Sequence, residues 1–480
     1  MIYISSIGPI NHPDAADYHV GYPYQYFIRG GFFVDGGLTQ GLLGLADYSN
    51  LAFIQENSSW LIRFIQIANL PLIILFLSKK VKNNIFLLVF LSIPTFIQWS
   101  TIGKPLFLGE SSMIILYLIW KYNPTKYTLK LLFISFISCI SFKISSLIII
   151  FPIFLDIGIT LISIKNKRKN LASFLHYLFL SKEFLFTLIA FTSLIINRFI
   201  ITKNLAYPLL TNIFNKNNEV IKNFASFLSD YERDDFFFIR IFLPTNFNAL
   251  GQALGPAILL LTIFLFYRII KNHKRFTPND KSVNFLCALQ FILLMFFCQG
   301  RADYYIAPIV LLIHQSNQLI NTNENFFIKL SFYLSTTFQI SIISAFLFFS
   351  IYVNYFSSQE FSKSMNKTAY GFNLIQMINK NISGNFLIQS RNVRLFYYKN
   401  YLDKDRFKSC ENTNIKLGIS NPKEICLKRY KVNQIITFKE DKINEDLFNC
   451  KFIKAQSASR NIFNKKINTY KYCRRLNSFD

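Results

Sequence analysis

Apolar residues do not alternate along the first three quarters of this chain; they run in unbroken blocks. The clearest are Leu61–Ser78, Ile85–Thr101, Leu147–Ile164, Phe184–Ile201, Ala249–Ile270, Val283–Cys298, Tyr304–Ile320 and Leu330–Val353. A bilayer-crossing helix needs about 17–25 such residues. Leu106–Trp120 is a further block, interrupted by Glu110. Leu131–Ile164 is too long for one helix and breaks at Lys143, which reads as a tight helical hairpin. The pattern predicts roughly ten spans. They are helices, because lipid offers no partner to an unpaired backbone group.

Short Lys/Arg-rich connections fall after alternate spans: Lys79–Lys82, Lys121–Lys130, Lys165–Lys169 and Arg268–Lys281. Cytoplasmic loops carry this bias, and we read these four as topological signals. Met1–Trp60, the turns around Lys104, Lys143 and Arg301, the segment Thr202–Asn248 and everything after Asn354 then face outward. Met1–Ile10 is too short to be a span and lacks the charged start of a signal peptide. Either the second element exports the amino terminus or, the reading we favour, a further span lies upstream of Met1.

After Asn354 the blocks shorten. Gly384–Gln389 and Gln434–Phe438 read as short buried strands, and Phe372–Lys380 and Asn392–Lys399 have helical spacing. The alternation predicts a small outward-facing α/β domain over 355–480, beside a membrane domain over 1–354 that includes the outer segment 1–60. Cys410, Cys426, Cys450 and Cys473 lie in the small domain. Four cysteines in an oxidising compartment suit two disulfides, and three pairings stay open. The segment Thr202–Asn248 carries an acidic cluster, Asp230–Asp235, followed by Phe236–Phe238. That arrangement suits either a lid or a plain linker.

Composition sharpens this picture. The 480 residues include 52% hydrophobic, 17% aromatic and only 16% charged, with 54 Phe and a net charge of +26. Disorder is excluded by the hydrophobicity, and one soluble globule could not hide so much apolar surface. The positive charge divides between the short loops and the region after Asn354, so it lies on both faces of a membrane. That removes nucleic acid as a partner.

No phosphate-binding glycine loop, dinucleotide fingerprint, zinc motif or nucleophile elbow occurs. The densest polar stretch is Asn11-His-Pro-Asp-Ala-Ala-Asp-Tyr-His19, followed by Gly21-Tyr-Pro-Tyr-Gln-Tyr26. Asp14 and Asp17 stand near a helix start, where the macrodipole favours carboxylates; Asp14 as a plain helix cap is the bland alternative. Lys143 interrupts an apolar stretch, and charges so placed are functional candidates. Lys104 and Arg301 stand at span ends, where snorkelling is the bland alternative.

The outer segment, with Pro-Asp-x-x-x-Tyr-His, a Pro four residues after the His and then Gly-Gly, resembles the first outer loop of the C-type (GT-C) glycosyltransferases. These are polytopic enzymes of the protein-mannosyltransferase and lipid A aminoarabinose-transferase kind. Gly300-Arg-Ala-Asp-Tyr-Tyr-Ile-Ala-Pro308 is similar to that family's Arg-Tyr-x-x-Pro segment. Phe142-Lys-Ile-Ser-Ser, with Pro152 beyond it, is similar to its Lys-bearing span start. Two departures stand out. Met1–Ile10 is too short to hold the span that the family has before its first outer loop, and the stretch where many members have an Asp reads Gly103-Lys-Pro-Leu-Phe-Leu-Gly-Glu110.

The resemblance implies a membrane glycosyltransferase of cell-envelope glycan biosynthesis. It would move a sugar from a polyprenyl-phosphate donor to a lipid, glycan or protein acceptor on the outer face of a bacterial inner membrane. It implies Asp14, with Asp17 as runner-up, as general base; Lys143, Arg301 and Lys104 for the donor phosphate; and Tyr18, His19, Glu110 and Tyr304 near substrate. No cofactor is required by any motif. A divalent ion is left open, since Asp14, Asp17 and Glu110 could ligate one, yet nothing in their spacing demands it. A transporter or flippase, or a non-catalytic surface-glycan assembly protein, is the alternative.

Overall fold

The structure is a computed structural model, described here for residues 15–28, 30–32, 39–53, 60–80, 84–96, 108–163, 176–208, 210–214, 237–243, 253–272, 274, 276–297, 302–319, 326–355, 386–388, 402–439, 443, 447–457 and 466–476. Most of these are helical. The N-terminal segment holds a π-helix, Ala15–His19, then α1 (Gly21–Ile28) and α2 (Leu45–Tyr48). The bundle follows: α3 (Trp60–Gln66), α4 (Leu70–Lys80), α5 (Asn84–Leu91), α6 (Leu108–Tyr122), α7 (Lys126–Phe142), α8 (Leu147–Ser163) and α9 (Lys182–Thr202). Two short helices, α10 (Thr211–Phe214) and α11 (Phe237–Phe242), precede α12 (Pro256–Lys271), α13 (Pro278–Phe297), α14 (Ile306–Leu319) and α15 (Phe326–Tyr355).

Four stretches among the described residues are long and apolar enough to cross a membrane: Leu61–Lys80, Ile144–Leu161, Lys182–Thr202 and Pro278–Phe297. Several of the other expected spans are shorter or broken, for local reasons. The block beginning at Ile85 stops being helical at Leu91, because Pro94 has no N–H to continue the ladder. In the block beginning at Ala249, residues 253–255 are not helical and a helix starts at Pro256, whose fixed φ suits a first turn. Gln339 of α15 bridges these two ends. Its Nε2 donates to Ser92 O (3.0 Å) and Leu254 O (3.2 Å), and its Oε1 accepts from Ala257 N (2.7 Å). A fully buried amide so used satisfies backbone groups that the broken helices leave open.

One apolar core runs through the bundle from Ile67 to Phe332. The outward faces are also apolar: on α9, Phe186 is 76% exposed and Ile189 64%. A soluble chain does not leave such helical faces bare. These helices meet lipid, and the protein is an integral membrane protein.

The expected break at Lys143 is present. Lys143 is extended (φ −156°, ψ 119°); it closes α7 and opens a 3₁₀ turn, Ile144–Ser146, that leads into α8. The acidic cluster Asp230–Asp235 lies outside the described residues.

The C-terminal region has a separate core around Leu387, Phe407, Leu427 and Ile435. Among the described residues its strands are β1 (Phe386–Ile388), β2 (Leu402–Asp403), β3 (Gln434–Phe438), β4 (Phe448–Ser457) and β5 (Lys466–Arg475), in the order β2-β1-β3-β5-β4. β1 pairs in parallel with β2 and β3, while β5 is antiparallel to both β3 and β4. Helices α16 (Lys404–Lys416) and α17 (Pro422–Arg429) join β2 to β3. The expected helices over 372–380 and 392–399 lie outside the described residues. Cys410 pairs with Cys426, tying α16 to α17, and Cys450 pairs with Cys473 across β4 and β5.

Candidate functional site

Three separate stretches of sequence meet where α7 turns into α8. Glu110 stands in the first turn of α6, nine-tenths buried, and its Oε1 accepts a hydrogen bond from Ser146 Oγ at 2.5 Å. Lys143 and Asp303 lie close enough to act electrostatically on that carboxylate. The Lys143 ammonium sits over the Tyr304 ring, 4.5 Å from its centroid, a cation–π contact. The Tyr304 hydroxyl lies 2.7 Å from Ser145 Oγ. The α7–α8 turn thus contributes Lys143, Ser145 and Ser146, α6 contributes Glu110, and the 3₁₀ turn Ala302–Tyr305 contributes Tyr304 and Asp303.

Glycines set these distances. A Cβ on Gly109 would press on Cys139 of α7, so the start of α6 approaches that helix closely. A Cβ on Gly44 would land inside the van der Waals shell of the Phe142 carbonyl oxygen, one residue before Lys143. The N-terminal segment therefore packs directly on the Lys143 turn.

What holds that segment is a set of buried polar bonds. His19 Nδ1 lies 2.6 Å from Asp47 Oδ1, and both side chains are buried. Asp47 Oδ2 accepts from Gly44 N at 2.7 Å, closing the start of α2. Asn50 Nδ2 donates to His19 O at 3.0 Å. On the other flank, Arg198 of α9 donates to Gly41 O (3.1 Å) and Leu43 O (3.2 Å), and Asn197 donates to Tyr48 OH (2.7 Å). Burial pushes the Tyr48 phenol up to about 12, so it stays neutral and serves as a hydrogen-bonding group.

Of the residues the sequence singled out, Glu110, Lys143 and Tyr304 come together. His19 is committed to Asp47, and the Tyr18 ring lies against that of His19 at 4.1 Å. Asp14, Lys104 and Arg301 lie outside the described residues, as does the side chain of Asp17, whose backbone is in the π-helix. Ser145, Ser146 and Asp303 stood within the stretches that carried the resemblance but were given no role there. Gly44 and Asp47 were missed, and no local pattern marked them. Among the described residues no group of three His, Cys, Asp or Glu could hold a metal ion.

A second polar cluster joins α6, α8, α13 and α14. Lys121 donates to Asp156 (2.7 Å), Thr160 (3.1 Å) and Ser282 (3.0 Å). Tyr117 donates to Asp156 at 2.8 Å, Ser282 also bonds Asp156, and Tyr122 donates to Asp280 at 2.6 Å. Lys121 stands eleven residues along α6 from Glu110, about 16 Å at 1.5 Å per residue. Lys121 was read from sequence as a topological charge alone; burial and an ion partner give it a packing role as well.

No family model and no curated protein matches the chain by sequence. Among solved structures it is similar to ArnT from Cupriavidus metallidurans bound to undecaprenyl phosphate. That likeness covers 98% of this chain and 96% of that one, with a TM-score of 0.57 and 10% sequence identity. ArnT is a C-type lipid A aminoarabinose transferase. The chain has the GT-C glycosyltransferase fold over almost its whole length.

Proposed function

We propose that this protein is a membrane glycosyltransferase that takes its sugar from a polyprenyl-phosphate donor. The observation that carries the reading is the cluster of Lys143, Tyr304 and Glu110 at one turn of a GT-C fold. The similar ArnT structure holds undecaprenyl phosphate, a lipid phosphate of the required class.

In the proposed reaction an acceptor hydroxyl attacks the anomeric carbon of the sugar. The new carbon–oxygen bond forms as the bond to the phosphate breaks, and the phosphate leaves with the electron pair. A carboxylate takes the hydroxyl proton; by the motif this is Asp14, with Asp17 the alternative. Lys143 stabilises the charge that develops on the leaving phosphate, joined by Arg301 and Lys104. Tyr304 and Ser145 hold the Lys143 turn in place, and Glu110, fixed by Ser146, orients the ammonium. His19, locked by Asp47, holds the outer segment, and Tyr18 beside it is the substrate contact that the motif implies. A divalent ion, where one is used, would be ligated by Asp14, Asp17 and Glu110. The acceptor is a lipid, glycan or protein on the outer face, and the region after Asn354 is an outer domain.

The test measures release of polyprenyl phosphate from a lipid-linked sugar by purified protein in nanodiscs. Lys143→Met should lower turnover by about 10²–10³-fold, with Lys143→Arg retaining part of it. Asp14→Asn should abolish transfer at an unchanged protein level. Full turnover in Lys143→Met would remove the phosphate role, and full transfer in Asp14→Asn would remove that base.

One observation favours transport instead: the Lys121–Asp156 pair lies inside the bundle, where ionisable groups mark transport paths by default. Its bonds to Thr160, Ser282 and Tyr117 are what a packing lock requires.

A further inference from the structure

Between 447 and 476 the chain has eight Lys or Arg and no Asp or Glu. Six of them, Lys451, Lys454, Lys466, Lys471, Arg474 and Arg475, lie on the β4–β5 ribbon, with β4 at the edge of the sheet. The two-residue period of a strand puts alternate side chains on opposite faces. On one face Lys451 pairs with Tyr472, its Nζ 5.3 Å from the ring centroid, beside exposed Arg474. On the other face Phe452 pairs with Lys471, at 5.8 Å, beside exposed Lys454. Phe452 is 62% exposed. Arg475 is paired with Glu424 at 2.6 Å; the rest of the ribbon has no carboxylate within its own strands.

We propose that the β4–β5 ribbon is a docking surface for an acidic polysaccharide chain. Each face offers an aromatic ring with a cation beside it, which matches a sugar ring bearing a carboxylate or phosphate: the ring takes the apolar face and the cation takes the charge. A flat membrane surface meets only one side of a ribbon. Cations on both sides suit a flexible anionic chain that wraps the edge. The inference rests on the glycosyltransferase reading and deepens it, because it makes the acceptor or product an acidic glycan.

The test uses the full chain in nanodiscs of zwitterionic lipid, with fluorescent oligogalacturonate as the probe and neutral oligodextran of equal length as the control. The acidic oligosaccharide should bind, the neutral one should not, and added salt should weaken binding. Lys451→Glu with Lys471→Glu should lower affinity by about tenfold or more, and Phe452→Ala by about threefold. Lys416→Glu, an exposed reversal on α16, should leave affinity unchanged and so controls for net charge. Equal binding of both oligosaccharides, or no loss in the double reversal, overturns the proposal. So does recruitment to vesicles of anionic lipid through these residues in preference to the oligosaccharide. No donor is present in this assay, so its outcome is separate from that of the Lys143 and Asp14 variants.

Discussion

His19 and Asp47 show how much one buried pair can decide. They are 28 positions apart, and neither is near the Lys143 turn in sequence. Asp47 nevertheless spends one oxygen on His19 and the other on the Gly44 N–H, and Gly44 rests on Phe142. Asp47→Asn keeps the volume and removes the charge. It should cost about 1–3 kcal/mol, read as a lower thermal midpoint in detergent, and transfer should fall with it. An unchanged midpoint would show that the pair does not hold the N-terminal segment. Ser145 and Ser146 matter at the same scale: short hydroxyls one residue apart reach Tyr304 and Glu110, so a single turn fixes partners from two other elements.

At the scale of elements, the critical contact is α2 against the end of α7. Gly44 has φ −112° and ψ 173°, extended backbone open to any residue, so its requirement is space alone. Gly44→Ala should push α2 away from the Lys143 turn at a cost of about 1–3 kcal/mol, and lower donor turnover. Gly31→Ala, where a Cβ meets nothing within 4 Å, is the matched control and should change neither quantity. Equal behaviour of the two variants would remove the close approach as a cause. The break between α7 and α8 has a comparable logic. An extended Lys143 ends one helix and starts the next turn, so its charge sits at a junction of elements and not on a helical lipid face.

Across the whole molecule, two polar clusters pin the bundle at different levels of α6. One surrounds Lys143 and the other surrounds Lys121. If the second is a lock, Lys121→Met leaves the Asp156 carboxylate without its cation and should lower stability by about 3 kcal/mol. Adding Asp156→Leu should restore part of the loss, because no orphaned charge then remains. Thermal unfolding of the two single variants and the double variant completes the cycle. Additive losses would show that the two side chains are not coupled. The transport reading instead predicts that these variants abolish substrate flux while leaving the midpoint in place.

Much of this was legible along the chain. Long apolar blocks admit only helices in lipid, the break at Lys143 follows from a charge in such a block, and the strands at Phe386–Ile388 and Gln434–Phe438 follow from short apolar runs between polar ones. The even set of cysteines pointed to two disulfides, but only the fold brought Cys410 to Cys426 and Cys450 to Cys473. Local pattern also pointed to Glu110, Lys143 and Tyr304 one at a time. It could not join them, because nothing local tells Glu110 that Ser146 will face it, or Tyr304 that Lys143 will lie over its ring. Gly44 and Asp47 had no local signal, since their importance comes from what packs on them. Periodicity records how each segment meets its solvent, which the sequence determines by itself. Which segments then meet each other depends on long-range packing, and that was decided only in the tertiary structure.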